Sequence, residues 1–362
     1  MKGNAKHAIG IPSESPQRPL KVAKIESCND EEVEPDCSAQ PMVQKPGLQR
    51  YLVAIEYIGT RFSGSQQQPN CRTVVGVLEE AFLKFVGQPV SIFCSSRTDA
   101  GVHALANVCH VDVERISKRK PGEVLPPHEP SVVKRAINHF LQKDEGDIMV
   151  VDVRSVPSDF HARYKARERT YFYRLLSGSE PLSSFEKARA WHVPEALDAK
   201  AMQEACKVLV GHHDFSSFRA AGCQANSPIR TLDELTVTEV ASSPYFPSVV
   251  DSREEDLLDG DPHTSSENLD THSVEQTTEI TELEFGIRKK HRCFVVKARA
   301  RSFLYHQVRL LVGVIKSAGT GDLTTSDVKR ILDAKDVTKA SKMAPSHGLY
   351  LGHVRYDLSG LL

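Results

Sequence analysis

Asp99 lies in the stretch Ser96-Arg97-Thr98-Asp99-Ala100-Gly101-Val102-His103, which brings an arginine, a carboxylate, a glycine and a histidine together between two apolar runs. Reactive groups carried on a loop and held by a rigid scaffold are a common arrangement for catalysis. The plainer reading is a polar turn in which Asp99 caps neighbouring backbone and Gly101 supplies a positive φ. Taken alone, the octapeptide favours the plainer reading, and three further clusters change the balance. Phe160-His161-Ala162-Arg163-Tyr164, followed by Lys165, Arg167 and Arg169, interleaves rings with cations, which suits phosphate contact and stacking on unpaired bases, or equally a solvated basic loop. In Tyr171-Phe172-Tyr173 the two tyrosines share a face of a strand, and Phe172 on the other face reads as core. Arg309, in Ser302-Phe303-Leu304-Tyr305-His306-Gln307-Val308-Arg309, sits in an apolar helical stripe, and a desolvated arginine there calls for a carboxylate.

The elements that must position these groups follow from periodicity. Val90 to Cys94 and Val108 to Val113 read as strands, which puts Arg97 to Gly101 in a tight connection at the end of a sheet. Tyr51 to Tyr57 is a first strand. Thr73 caps a helix carrying Val77, Leu78, Ala81, Phe82 and Phe85, and a second helix (Val132 to Leu141) leads into a strand from Ile148 to Val153. That order is a split β-α-β unit of ferredoxin-like type. A second half repeats it: a strand at Thr170 to Leu175, a helix with Met202, Ala205, Cys206 and Leu209, strands at Leu232 to Val240 and Cys293 to Ala300, a helix with Leu304, Val308, Leu311, Val312 and Ile315 stopped by Gly319, a short helix near Val328, and a last strand at Gly348 to Leu351. The expected fold class is α+β: two ferredoxin-like halves, 51–160 and 161–362, forming a mixed, mainly antiparallel sheet with helices on one face and a central basic cleft that binds RNA.

Residues 1–50, rich in Pro, Ser, Lys and Glu, are expected to be a disordered tail, and 241–290 a largely disordered acidic insert. Charge supports a polyanionic partner. Residues 251–284 hold twelve carboxylates against Arg253, and the first fifty residues carry seven charges of each sign. With a net charge of −1 overall, the remaining body is left at +10. The eight cysteines show neither a CxxC pair nor regular spacing, so neither a zinc site nor a disulfide framework is expected. No apolar run approaches the roughly 18 residues of a membrane span. The tail carries acids that spoil a transit-peptide reading and lacks the apolar core of a secretion signal; cytoplasm or nucleus is the expected setting, with an organelle left open.

The segments SSRTDAGVHA, DFHARYKA, RTYFYRL, GHHDFSSF, SFLYHQVRLLVG and HGLYL, in that order, resemble the TruA family of tRNA pseudouridine synthases from about Tyr51 to Tyr356. The resemblance implies that Asp99 is the catalytic aspartate that attacks a target uridine, in the anticodon stem-loop region of a tRNA. Arg97 would insert into the RNA and support the flipped nucleotide, Tyr171 would stack on the target base, and Arg309 would pair with the carboxylate. Phe160, His161, Ala162, Arg163 and Tyr164, with Gly222, Cys223, Gln224, Ala225 and Asn226, fall on RNA-contacting loops. Relatives of this kind are commonly homodimers. The family usually has a tryptophan after the glycine of its first turn, where this chain has Ser65, in a loop expected to lie away from the chemistry. Breaking and remaking a glycosidic bond needs one ionised carboxylate but no redox step or group donor, so no cofactor and no metal are implied. Rival readings are a non-catalytic RNA-binding or RNA-folding protein on the same scaffold, a synthase acting on mRNA or rRNA, and a metal-dependent nuclease using Asp99, His103 and His110. His103 is read as structural.

Overall fold

Strand alternation, not helix content, sets the architecture. In β1 (Leu48–Tyr57) the buried Tyr51, Val53, Ile55 and Tyr57 recur at every second position. It pairs antiparallel with β3 (His103–Glu114) on one side and β4 (Ile148–Val156) on the other. The three-residue β2 (Ile92–Cys94) adds to β3, and α1 (Val74–Val86) and α2 (Pro130–Asp144) pack against each other beside these strands. Thr73 caps α1 by accepting the Gly76 N–H, as its side chain leads one to expect. The computed structural model describes residues 47–120, 122–241 and 291–359. Most of the tail expected over 1–50, and nearly all of the acidic insert expected over 241–290, lie outside the described residues.

The later strands are β5 (Glu168–Ser177), β6 (Trp191–Val193), β7 (Gly211–Asp214), β8 (Ile229–Val240), β9 (Arg292–Ala300) and β10 (Leu349–Arg355). With them come α3 (Ala199–Leu209), α4 (Gln307–Gly319) and α5 (Thr325–Ala334). All join one mixed, mostly antiparallel sheet in the order β4-β1-β3-β10-β5-β9-β8-β7, with β2 on β3 and β6 on β5. Two contacts are parallel, β3 with β10 and β5 with β6. Tyr350 and Leu351 of β10 sit opposite His103 and Ala104 of β3, so the chain's last strand docks beside the start of the strand that follows Asp99.

Several elements differ from expectation. β1 starts at Leu48, three residues early, because its polar residues find partners: Arg50 pairs with Asp112 at 2.7 Å, and Gln49 donates to the Val156 carbonyl. β6 and β7 are too short to show alternation. Leu304 precedes α4, with its N–H donating to the Gln307 side chain. In β5 the tyrosine face is the core face: Tyr173 is fully buried and donates to the Pro345 carbonyl, while Phe172 is half-buried on the other side. The six cysteines among the described residues are free thiols. No described helix is long and apolar enough to cross a membrane.

Candidate active site

The connection from β2 to β3 holds Asp99, and it rests on a buried polar network. Asn107, fully buried in β3, accepts from the Ser95 hydroxyl and donates to the Ser96 carbonyl and the Tyr57 hydroxyl. Tyr57 lies 2.7 Å from the Thr98 hydroxyl, and burial pushes its phenol well above the ordinary value, so it stays protonated. Arg169 grips the loop from β5: its Nη2 donates to the carbonyls of Ser95 and Arg163, and its Nε to the Ser96 hydroxyl. Burial lowers the pKa of that guanidinium, yet four oxygens accept from it, those three and the Arg301 carbonyl. Buried polar groups left unpaired are costly, so a network this complete leaves the loop one conformation.

Ser65 completes the support and overturns one expectation. Its N–H donates to the Thr98 carbonyl at 3.0 Å, and its hydroxyl accepts the Thr98 N–H at 2.8 Å. The Gly64-Ser65 turn therefore lies directly against the residue preceding Asp99, not away from the chemistry. Gly64 is at φ +104°, and a Cβ there would come within 2.9 Å of the Thr98 carbonyl, so the close approach requires glycine.

Two side chains meet Asp99, whose own side chain keeps 30% of its surface accessible. Arg309 Nη1 lies 3.4 Å from Asp99 Oδ2, and the same guanidinium donates through Nε to the Ala344 carbonyl at 2.8 Å. Ala344 can reach it because Gly313 lets residues 342–343 lie on α4; a Cβ at Gly313 would come within 2.3 Å of the Lys342 carbonyl. His306 Nε2 is 3.1 Å from the same carboxylate oxygen. Its backbone is left-handed (φ +61°) at the start of α4, and its imidazole makes no capping bond, so strained backbone aims the ring at Asp99. Burial, reinforced by Arg309, lowers the pKa of that imidazole against the opposing pull of Asp99. Sequence reasoning assigned no role to His306; its only signal was its place three residues before Arg309.

Tyr171 is buried, its ring edge-on to Phe303 at 5.1 Å, and burial raises its phenol, opposed by Arg169 and by a hydrogen bond with Ser96. It thus sits against the Asp99 loop. Arg97 is exposed and donates to Gln224 Oε1 at 2.9 Å, which ties the Asp99 loop to Gly222–Asn226. Within that segment Gly222, Gln224 and Asn226 are exposed, while Cys223 and Ala225 are half-buried and accept from Arg219. The Tyr305 N–H donates to Cys223 Sγ, so the segment docks next to His306.

Phe160 to Tyr164 divides by burial. Phe160 and Ala162 are anchors: the Phe160 carbonyl accepts from Arg50, and Ala162 donates its N–H to His110 Nδ1 and accepts the Tyr356 hydroxyl. Their side chains are turned inward, whereas His161 and Arg163 are half-buried and Tyr164 is exposed. His103 accepts the Gly59 N–H on Nδ1, and its Nε2 lies 3.1 Å from the Ala188 and His347 carbonyls, so both ring nitrogens are engaged. Burial lowers its pKa. Both ring nitrogens of His103 and Nδ1 of His110 thus face backbone groups, and among the described residues no three His, Cys, Asp or Glu side chains are grouped to hold a metal. A cavity of about 690 Å³ between α1, α2 and the end of β3, lined by Phe85, Arg115, His128 and Arg135, contains none of the groups around Asp99.

The family model described as tRNA pseudouridine synthase matches residues 53–165 and 205–357. The tRNA pseudouridine synthase A of Paramagnetospirillum magneticum is 37% identical over 313 residues, covering 86% of this chain and 97% of that protein. Those of a Methylobacterium species and of Rhodospirillum centenum are also 37% identical, covering 86% and 85% of this chain and the whole of each relative. A match this long, with Asp99 and Arg309 both inside the matched ranges, leaves one conclusion: this chain belongs to the TruA-type tRNA pseudouridine synthase family of RNA uridine isomerases.

Proposed function

We propose that the chain converts a uridine of transfer RNA to pseudouridine, with Asp99 as the carboxylate that engages the target nucleotide. The observation that carries this is the placing of Asp99 on a fully hydrogen-bonded loop, partly accessible, between Arg309 and His306. The reaction breaks the C1′–N1 bond, rotates the freed uracil and forms a C1′–C5 bond; the proton lost from C5 is balanced by one gained at N1. One carboxylate can open this sequence by attacking the base, attacking the sugar or removing a sugar proton. Arg309 orients the carboxylate in any of the three.

The target must leave its stack, which costs a few kcal/mol. Stacking against Tyr171 offsets about 1–3 kcal/mol of that, and Arg97 fills the vacated space. The proposed binding surface is a basic cleft between two ferredoxin-like halves. Strand order supports the halves: the first pairs as β4-β1-β3-β2 and the second, with the short β6 and β7 set aside, as β10-β5-β9-β8, the same permutation of four strands in chain order.

The test is Asp99→Asn, assayed by mass-spectrometric detection of pseudouridine in an unmodified tRNA transcript. Turnover is expected to fall by roughly 10³-fold or more while RNA affinity stays within about threefold. Turnover near wild type would overturn the assignment. A transcriptome-wide pseudouridine map with and without the protein, against the same variant, identifies the uridine.

A further inference from the structure

Four rings form a continuous cluster beside the Asp99 loop that the proposed chemistry does not use. Phe93 and His110 are cross-strand partners on β2 and β3, so their side chains share a face, and the rings stack at 5.2 Å with an interplanar angle of 17°. His110 meets His161 at 4.6 Å, and His161 meets Tyr164 at 4.3 Å. Phe93 is 53% exposed and Tyr164 71% exposed, whereas Ile92, the neighbour of Phe93, is buried. Two large aromatic rings thus face solvent at adjoining places, each backed by an imidazole.

We propose that Phe93, His161 and Tyr164, backed by His110, form a stacking platform for an unpaired base of the substrate RNA close to the target uridine. This deepens the synthase reading and rests on it. Three observations select RNA as the occupant. First, the platform is continuous with the proposed catalytic loop: Phe93 is six residues before Asp99, and six extended residues span at most about 20 Å. Second, Arg169 bonds the carbonyls of Ser95 and Arg163 through one nitrogen, so platform and catalytic loop are held as one body. Third, the rings are neutral while their rim is cationic. His110 is pushed down to about 4 by burial and then by the charges of His161 and Arg50, and His161 is lowered by burial and by Arg50 and Arg163. Each imidazole accepts a backbone N–H, His110 from Ala162 and His161 from Arg163. Arg50 and Arg163 act on these imidazoles, and Lys165 follows Tyr164 in the chain, a combination of ring and cation that tracks a single strand.

The experiment measures affinity for an unmodified tRNA transcript in the Asp99→Asn background, with thermal unfolding confirming that each variant is folded. Phe93→Ala and Tyr164→Ala are each expected to weaken binding by roughly tenfold, the loss expected of a single base–aromatic stack, and Phe93→Trp to restore it. The slope of log affinity against log salt should stay unchanged, because rings release no counterions, whereas loss of one phosphate contact lowers it by about 1. A fully paired RNA duplex of equal length should bind all variants alike. Unchanged affinity, equal loss on the duplex, a lowered salt slope, or a change in oligomeric state that accounts for the loss would each overturn the platform. A wild-type chain forming no pseudouridine on this transcript would remove the synthase reading while leaving the binding comparison interpretable. Unchanged binding in variants of a chain that does form pseudouridine removes only the platform.

Discussion

The loop carrying Asp99 and the loop from Gly222 to Asn226 meet through one hydrogen bond, Arg97 to Gln224, yet they are built in opposite ways. The first is bonded to four separate parts of the chain: Ser65, Tyr57, Asn107 and Arg169. The second is held by fewer contacts, from Arg219 just before it and from the docking of Cys223 on Tyr305, and a Cβ at its positive-φ Gly222 would meet nothing within 4 Å. A carboxylate that must meet one atom of a flipped nucleotide needs a fixed position, because small misplacements are costly in rate. A segment that follows an RNA backbone gains from adjusting to it. On this view, substitutions beneath the first loop damage chemistry or stability, and those in the second change affinity slightly.

The comparison breaks most readily at Arg309. Arg309→Ala removes the cation 3.4 Å from Asp99 and the donor to Ala344, and kcat is expected to fall about 10²–10³-fold with little change in RNA affinity. Arg309→Lys should recover only part of this, since one ammonium cannot reproduce a fork that serves two oxygens on different segments. Single-turnover kinetics on a tRNA transcript read both, and an affinity loss equal to the rate loss would place Arg309 in RNA binding instead.

Arg309 was legible in the sequence for the reason that makes it matter: an arginine in the stripe Val308, Leu311, Val312, Ile315 must find a carboxylate. The main strands and helices were legible through their periodicity, and α3 buries the four residues its spacing selects. What was not legible is the support beneath Asp99. Asn107 and Ser65 are ordinary polar residues whose partners are backbone groups brought together only by folding. His306 acts through a left-handed backbone that no residue pattern announces. Phe160 and Ala162 share a basic, aromatic segment with His161 and Tyr164, and only the sheet decides which of them turn inward. β6 and β7, at three and four residues, are too short for alternation to register.

Asn107 tests the support directly. Asn107→Ala leaves the Ser96 carbonyl and the Val108 N–H without their side-chain partner in a buried setting, and should cost about 2–3 kcal/mol of stability. Activity measured on the folded fraction should fall as well, because the loop under Asp99 loses its fixed geometry. A stability loss with unchanged kcat would show that the loop is rigid without Asn107.

A smaller effect is expected from His110, which joins the Phe160–Tyr164 segment to β3. Its neutral Nδ1 accepts the Ala162 N–H, and its folded value of about 4 lies below the ordinary 6.5. The unfolded chain therefore takes up the proton first, so stability present above pH 6.5 is lost as the pH falls toward 4. At pH 5 the loss attributable to this residue should be about 1–2 kcal/mol. Comparing thermal unfolding at pH 7 and pH 5 in wild type and His110→Gln isolates it from the other buried histidines. An equal pH dependence in both would assign the acid sensitivity elsewhere.

The smallest effect belongs to the bond between the two loops. Gln224 is exposed, and its amide oxygen accepts from Arg97 in competition with water. Gln224→Ala should leave stability within about 0.5 kcal/mol, as for most surface substitutions. If Gln224 presets Arg97 for entry into the RNA, the rate of substrate binding should fall by about two- to threefold with kcat unchanged, since a preformed side-chain geometry spares ordering cost on binding. Stopped-flow association with a labelled transcript measures this. A drop in kcat comparable to that of Asn107→Ala would mean that the outer loop helps to fix Asp99, and the division between a rigid catalytic loop and an adaptable recognition loop would fail.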